Sequence, residues 1–195
     1  MGRRTYFYEN ITGKSCKDLL LENYSAFSQW FLKEYGASSD KQKLTGFLHT
    51  DTSGALSFDK PYRAIIDEML PFFITCFSET KNSEHYFFKD IPISVSSRYY
   101  EDDSGVILGT GDTVFIDLWD ILLRGRSLLT GDWIMSIDGC AGYMTAGEQQ
   151  LLKEKIRIYF GTGDANVDYT GIRCMCDVLN GIGDKHELLF ILEGI

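Results

Sequence analysis

The sequence predicts a single globular domain over residues 1–195 in the mixed α/β class, with α+β as the alternative. We expect a central mixed sheet flanked by four to five helices. Two patterns predict this class: long segments with apolar residues at helical spacing, and short apolar runs typical of strands that interleave with them. Size agrees, because a chain of 195 residues with 44% hydrophobic residues can bury a core without disulfides or metal.

The first part of the chain predicts a strand and then a long helix. Aromatic and polar residues alternate over Arg4–Glu9, which favours a strand. Ser15 is a helix N-cap with Asp18 in the capping-box position, and Gly36 stands where a helix ends. The apolar stripe of this helix is Leu20, Tyr24, Phe27, Phe31 and Tyr35.

The next segment predicts a short strand and a second helix. Leu44–Thr50 reads as a strand. A helix starts near Asp59, with Pro61 in its first turn and one apolar face. Pro71 kinks or ends that helix. The run Phe72–Phe77 is either its continuation or a buried strand, because periodicity alone does not separate the two.

A predicted hairpin precedes the most hydrophobic segment of the chain. Ile91–Tyr99 and Val106–Leu108 are predicted strands, joined by an acidic turn at residues 101–104. Asp112 then caps a nearly all-apolar helix over Val114–Leu123. Its polar positions form one stripe, Thr113, Asp117, Asp120 and Arg124, in which the last two are placed for an ion pair.

The last part of the chain predicts two strands and two helices. Trp133–Ile137 is a predicted strand, and Thr145 with Glu148 forms a capping box that opens a helix. The end of that helix, Ile156–Phe160, also fits a strand. Gly171–Leu179 is a predicted short helix and Leu188–Leu192 a predicted buried strand.

The net charge limits the classes of partner that the protein can bind, and the cysteine content indicates its compartment. The formal charge of −9 disfavours nucleic acids and anionic membranes as partners, since their phosphates are repelled, and suits a basic protein partner. The cysteines number five, an odd count, and show no zinc or redox spacing, so we expect reduced thiols and a cytoplasmic protein. No signal peptide or membrane-spanning run is expected. Four of the cysteines fall on predicted helices: Cys16, Cys76, Cys174 and Cys176.

The glycine turns imitate nucleotide-binding motifs without completing them. Gly109-Thr-Gly111 would need a third glycine where Val114 stands, and Asp112 occupies the place of a pyrophosphate. Gly13-Lys-Ser15 lacks the first glycine of a phosphate-binding loop, where Tyr8 stands. We interpret these segments as turns with helix caps, and we expect no cofactor.

No metal or catalytic signature is complete either. Asp164, Asn166 and Asp168 have the spacing of a calcium loop but lack its glycine and its glutamate. His49 and Asp51 have no nearby ligand partner. Cys140 lies on a Gly-Cys-Ala turn without a histidine close in sequence. We therefore predict no metal site and assign no catalytic residue.

The favoured candidate site is the acidic, aromatic segment at the predicted hairpin tip. It combines rings that supply contact area with carboxylates that set register, as a basic partner requires. The residues are Tyr99, Tyr100, Glu101, Asp102 and Asp103, with Asp164, Asp168 and Asp51 as secondary acidic candidates.

Two functional hypotheses follow. The first is a non-enzymatic cytoplasmic binding protein, most concretely an immunity or antitoxin-type protein that neutralises a basic, nuclease-like toxin by direct binding. The second is an enzyme, a hydrolase or a nucleotide-handling protein, with an acidic site assembled in space. A concave pocket lined by His49, Asp51, Asp112 or Asp164 would favour the second hypothesis.

Overall fold

The structure, a computed structural model, describes residues 3–50, 63–128, 131, 140–161 and 169–194. Within these residues it contains four strands and seven α-helices. The strands are β1 (Arg3–Asn10), β2 (Phe88–Ser96), β3 (Cys140–Met144) and β4 (Glu187–Gly194). The helices are α1 (Cys16–Tyr35), α2 (Gln42–Thr50), α3 (Arg63–Cys76), α4 (Ser97–Gly109), α5 (Thr113–Arg124), α6 (Ala146–Phe160) and α7 (Thr170–Asn180), with a 3₁₀ turn at Ser39–Lys41. These elements are consistent with the predicted single α/β domain.

The sheet has the order β2-β1-β4-β3, so the first and last described strands lie side by side at its centre. All the pairings between these strands are antiparallel. The predicted α/β class is confirmed, but the described sheet is antiparallel where a mixed one was predicted, and the helices outnumber the predicted four to five. The order of helices and strands along the chain does not by itself fix the direction in which neighbouring strands run. Here β1 pairs with β4, which is distant in sequence, and the two strands run antiparallel.

Both faces of the sheet are covered by helices, and β4 shows this most clearly. Successive side chains of a strand point to opposite faces. Leu189 and Ile191 belong to a core formed with α1, α2 and α3, whereas the intervening β4 residues belong to a core formed with α4–α7. A continuous apolar run such as Leu188–Leu192 is therefore what a strand buried on both faces requires.

Several elements form as the sequence predicts. The Ser15 hydroxyl accepts a hydrogen bond from the Asp18 N–H at 3.1 Å, and Asp112 caps α5 by accepting from the Phe115 N–H at 3.1 Å. The predicted capping box opens α6. The predicted α1 stripe is buried, apart from its half-buried last residue, Tyr35.

Two predicted strands are instead helices. Leu44–Thr50 lies in α2, where Leu44 and Leu48 are buried one turn apart. Val106–Leu108 lies in α4, so the predicted acidic hairpin does not exist. Short apolar runs fit both a strand and one face of a helix, and here the tertiary packing selects the helix. Phe72–Cys76 and Ile156–Phe160, which the sequence left undecided, are also helical.

Strand β3 was not predicted, because Cys140-Ala-Gly-Tyr-Met has no clear alternation. Gly142 has a packing reason: a β-carbon there would collide with the Phe190 ring and lie 2.9 Å from the backbone nitrogen of Arg126. The predicted strand Trp133–Ile137 and the predicted helix start at Asp59 and Pro61 lie outside the described residues.

Candidate functional site

Three of the five predicted partner-binding residues are exposed on α4. Tyr99 is 44% exposed, and Glu101 and Asp102 are also exposed. Arg98 lies 3.7 Å from Asp102, but both side chains are largely in solvent, so the pair neutralises the carboxylate only weakly. We call Tyr99, Glu101 and Asp102 the α4 face. It presents one ring and two carboxylates from a helix instead of from the predicted hairpin tip.

The other two predicted residues lie on the buried side of the same helix. Tyr100 is fully buried, and its backbone carbonyl accepts a hydrogen bond from the Trp119 indole at 3.1 Å. Asp103 is 4% exposed and accepts from the Ile172 N–H at 2.8 Å, which joins α4 to the start of α7. Burial raises the pKa of Asp103, and the N–H groups of Ile172 and Gly171 partly offset that effect. These two residues hold the helix in place, so neither is available to a partner.

Replacing Tyr100 with phenylalanine is expected to leave the protein as stable or to stabilise it by about 1 kcal/mol, because a buried polar group without a partner carries a desolvation cost. The Tyr100 hydroxyl has no hydrogen-bond partner among the described residues. Urea unfolding of Tyr100→Phe measures the change, with the exposed Tyr99→Phe as the matched control. A loss of more than about 1 kcal/mol would show that the hydroxyl has a partner.

A groove that the sequence did not predict lies between α5 and α6. It is an open depression of about 610 Å³. Leu118 and Ile121 of α5 form its apolar floor, and its rim carries Val114, 45% exposed, and Leu151, 43% exposed. We call this feature the α5–α6 groove. The sequence could not reveal it, because an apolar helix position reads the same whether its side chain finds a partner or stays exposed.

Two ion pairs hold the groove helices together at opposite ends. Arg126 follows α5 and lies 2.7 Å from Glu148 in the first turn of α6. Asp112, at the start of α5, lies 2.6 Å from Lys155, near the end of α6. Although burial acts to raise the pKa of Glu148, the Thr145 N–H and Arg126 outweigh it and hold that pKa below its usual value. The helices therefore run antiparallel, and both walls of the groove are fixed.

The glycine turn before α5 confirms the interpretation as a capped turn. Gly111 has φ of +67°, a conformation that favours glycine. The Asp112 carboxylate accepts from the Phe115 N–H and is paired with Lys155, and these hydrogen bonds lower its pKa. The site where a pyrophosphate would bind is thus occupied by the protein's own carboxylate.

A carboxylate–imidazole pair forms at one end of the sheet. The Glu9 carboxylate is largely buried and accepts a hydrogen bond from the Gly183 N–H at 2.8 Å. The Nδ1 atom of His186 lies 2.8 Å from the same Glu9 oxygen. This geometry orients the ring as an orienting carboxylate does beside a general base. Within the described part of the chain, however, no serine, threonine or cysteine is hydrogen-bonded to His186.

Replacing Glu9 with glutamine is expected to cost about 1–2 kcal/mol at neutral pH, because the pair and the Gly183 bond involve a charged acceptor. Burial acts to raise the pKa of Glu9, but Gly183 and His186 outweigh it and lower that pKa below 4.5. A carboxylate with a lowered folded pKa stabilises the fold above its unfolded pKa and loses that contribution as the pH falls through the folded value.

The measurement is urea unfolding of wild type and Glu9→Gln from neutral pH to well below 4.5. The stability difference between the two proteins is expected to shrink as the pH falls. An exposed carboxylate on α1, Glu34, provides the control variant Glu34→Gln. A difference that stays constant across this range would contradict the assignment.

The remaining candidates either lie outside the described residues or are free thiols. Asp51, Asp164 and Asp168 lie outside the described residues, as do the side chains of His49 and Cys140. Cys16, Cys76, Cys174 and Cys176 lie on helices as predicted and are free thiols, and burial raises the pKa of each. Over the described ranges, no group of three metal-ligating side chains comes together. None of the helices described there is long and apolar enough to cross a bilayer.

The fold and these surfaces define the chain as an α/β protein whose exposed candidate sites are a helix face and a groove. No protein-family model, curated protein sequence or solved structure matches it.

Proposed function

We propose that this chain is an acidic, non-enzymatic cytoplasmic protein that binds a basic protein partner. In its most concrete form it is an immunity or antitoxin-type protein that neutralises a nuclease-like toxin by covering its cationic surface. The α4 face carries the proposal: Tyr99, Glu101 and Asp102 are all exposed to solvent, on a helix anchored by the buried Asp103. Aromatic anchors flanked by charges are typical of protein interfaces.

The charge of the whole chain supports the same proposal. A net charge of −9 accelerates encounter with a cationic protein and repels nucleic acid, so it would separate a nuclease from its substrate. A surface carried on a helix that is already formed also lowers the entropic cost of binding, because the backbone of α4 need not fold when the partner arrives.

The test has two steps. The tagged chain is purified from its own cells at low salt, and a captured basic protein is identified, purified and re-bound in isolation. Replacing Glu101 and Asp102 with lysine is then expected to weaken the Kd at least about tenfold, since like charges now face the partner. The matched control, Glu34→Lys with Asp40→Lys, makes the same charge change at exposed positions away from α4.

The outcomes separate the proposal from its competitors. Inhibition of the purified partner's nuclease activity by wild type, lost in the α4 double variant, would support an immunity function. Failure to bind any cationic protein would overturn the proposal. Equal loss of binding in both double variants would show that only net charge matters and that the α4 face is not the site.

An enzyme remains the second candidate, and the Glu9–His186 pair is the observation that favours it. A carboxylate-oriented imidazole can activate water as a general base. Hydrolysis of ester and phosphoester model substrates by wild type, lost in His186→Gln but retained in the exposed His85→Gln, would support a hydrolase. Absence of turnover in the wild type would remove this candidate.

A further inference from the structure

Exposed apolar side chains concentrate on the two helices that form the α5–α6 groove. Val114 on α5 and Leu151 on α6 are each more than two-fifths exposed. Ile158 and Tyr159, at the end of α6, are 58% and 41% exposed. These are four of the eight large hydrophobic residues that are exposed in the described part of the chain. Val114 and Leu151 line the same groove, and clustered apolar side chains mark an interaction site more often than scattered ones do.

The α5–α6 groove has the form of a seat for a helix. Val114, Leu118 and Ile121 follow one another at the four- and three-residue spacing of a helix face, and Leu151 lies opposite. The Arg126–Glu148 pair lies at one end, and the Asp112–Lys155 pair holds the other. Amphipathic helices bind such grooves through apolar anchors at i, i+3 or i+4, and i+7.

The charged side chains that line the groove indicate which charge a bound segment should carry. In the described part of the chain the Asp117 carboxylate, on the groove wall, has no hydrogen-bond or ion-pair partner. The cation that lines the groove, Arg126, is already bound by Glu148. Among the described residues that line the groove, the charge left to a ligand is therefore that of Asp117, and a cationic group is favoured there.

We propose that the α5–α6 groove docks an amphipathic helix of the basic partner, with leucine-like side chains against Leu118 and Ile121 and a lysine or arginine paired with Asp117. This inference rests on the proposed function, which supplies the basic partner, and adds the segment that the partner inserts. The buried apolar anchors supply affinity, and Asp117 selects the charge of the helix.

A designed peptide tests the groove without knowledge of the partner. The probe is a helical peptide with leucines at i, i+3, i+4 and i+7 and lysines on its other faces, labelled for fluorescence anisotropy with the full chain. Its acidic counterpart keeps the leucines and replaces each lysine with glutamate. The basic peptide is expected to bind at least about tenfold more tightly than the acidic one.

Variants of the chain locate the bound peptide. Val114→Ser with Leu151→Ser is expected to weaken binding at least about tenfold, since the apolar anchors lose their contacts. Asp117→Asn is expected to weaken it less and to reduce the salt dependence of the Kd. Leu21→Ser on α1, where Leu21 is 42% exposed, is the matched control. Circular dichroism of each variant confirms that it is folded.

Each result decides the inference. No binding of the basic peptide, equal binding of the acidic one, or equal effects of the groove and Leu21 variants would overturn it. If the partner captured by the wild type binds the Val114–Leu151 double variant unchanged, the groove inference fails while the proposed function stands. If the wild type captures no basic protein at all, the proposed function fails, whatever the peptide does.

Discussion

Replacing Gly171 with alanine is expected to destabilise the protein by about 2–4 kcal/mol, through overpacking and loss of a buried hydrogen bond. A β-carbon at this position would lie 2.7 Å from both the Tyr99 carbonyl oxygen and the Asp103 carboxylate. The backbone of α4 cannot rotate away as a side chain would. The start of α7 must therefore move back, and the hydrogen bond from the Ile172 N–H to Asp103 stretches or breaks.

Urea unfolding of Gly171→Ala measures this loss, and α4 provides its control. Gly105, in the middle of that helix, has open space where a β-carbon would stand. Gly105→Ala is expected to stabilise the protein by about 0.5–1 kcal/mol, because glycine is the poorer helix former. If both variants change stability in the same direction, the effect of Gly171→Ala does not come from the close contact between α4 and α7. The Gly171 variant is also expected to bind the partner more weakly, since Tyr99 lies at the same contact.

Replacing Arg126 with methionine is expected to cost about 2–3 kcal/mol, since it leaves the Glu148 carboxylate partly buried without its cation. The Arg126 and Glu148 side chains are only 18% and 23% exposed. Arg126 also donates to the Gly131 carbonyl at 3.0 Å, and its guanidinium lies 4.8 Å from the centre of the Tyr143 ring. The cost stays below that of a fully buried pair because both groups keep some contact with water.

A double-mutant cycle with Glu148→Gln separates the pair from the other contacts of Arg126. The coupling energy is expected to be about 1–2 kcal/mol. The double variant should therefore lose less free energy of unfolding than the two single variants lose when their losses are added. Arg98→Met is the control, since its ion pair is largely exposed and is expected to change stability by less than about 0.5 kcal/mol. Additive single effects would mean that Arg126 acts through Tyr143 and Gly131 alone.

The elements that the sequence predicts well are those whose whole pattern is local. Helix α1 has its cap, its stripe and its final glycine within one segment, and β4 is a continuous apolar run. Helix α4 shows the limit of such patterns. Its acidic residues have the composition of a solvated turn, yet Asp103 is buried. The N–H that Asp103 accepts from belongs to Ile172, which is 69 residues further along the chain. Local patterns cannot contain such a partner.

The candidate sites divide in the same way. Tyr99, Glu101 and Asp102 were predicted as exposed partner-binding residues, and their exposure is seen, while their binding role stays a prediction. The α5–α6 groove and the Glu9–His186 pair were missed. Glu9 and His186 are 177 residues apart and meet only because β1 pairs with β4. Which apolar residues of α5 and α6 remain uncovered is likewise decided by the packing of separate helices.

The central pairing of β1 with β4 has a consequence for folding kinetics. The two strands register from Arg3 opposite Gly194 to Asn10 opposite Glu187, so the middle of the sheet closes only after all the residues between the two strands are available. Contacts of such long sequence separation slow folding, because a large loop must close before they form. During synthesis, the helices of both layers emerge from the ribosome before the strand that they share. We therefore expect the two layers to gain stable packing together, late, and to unfold in one cooperative step.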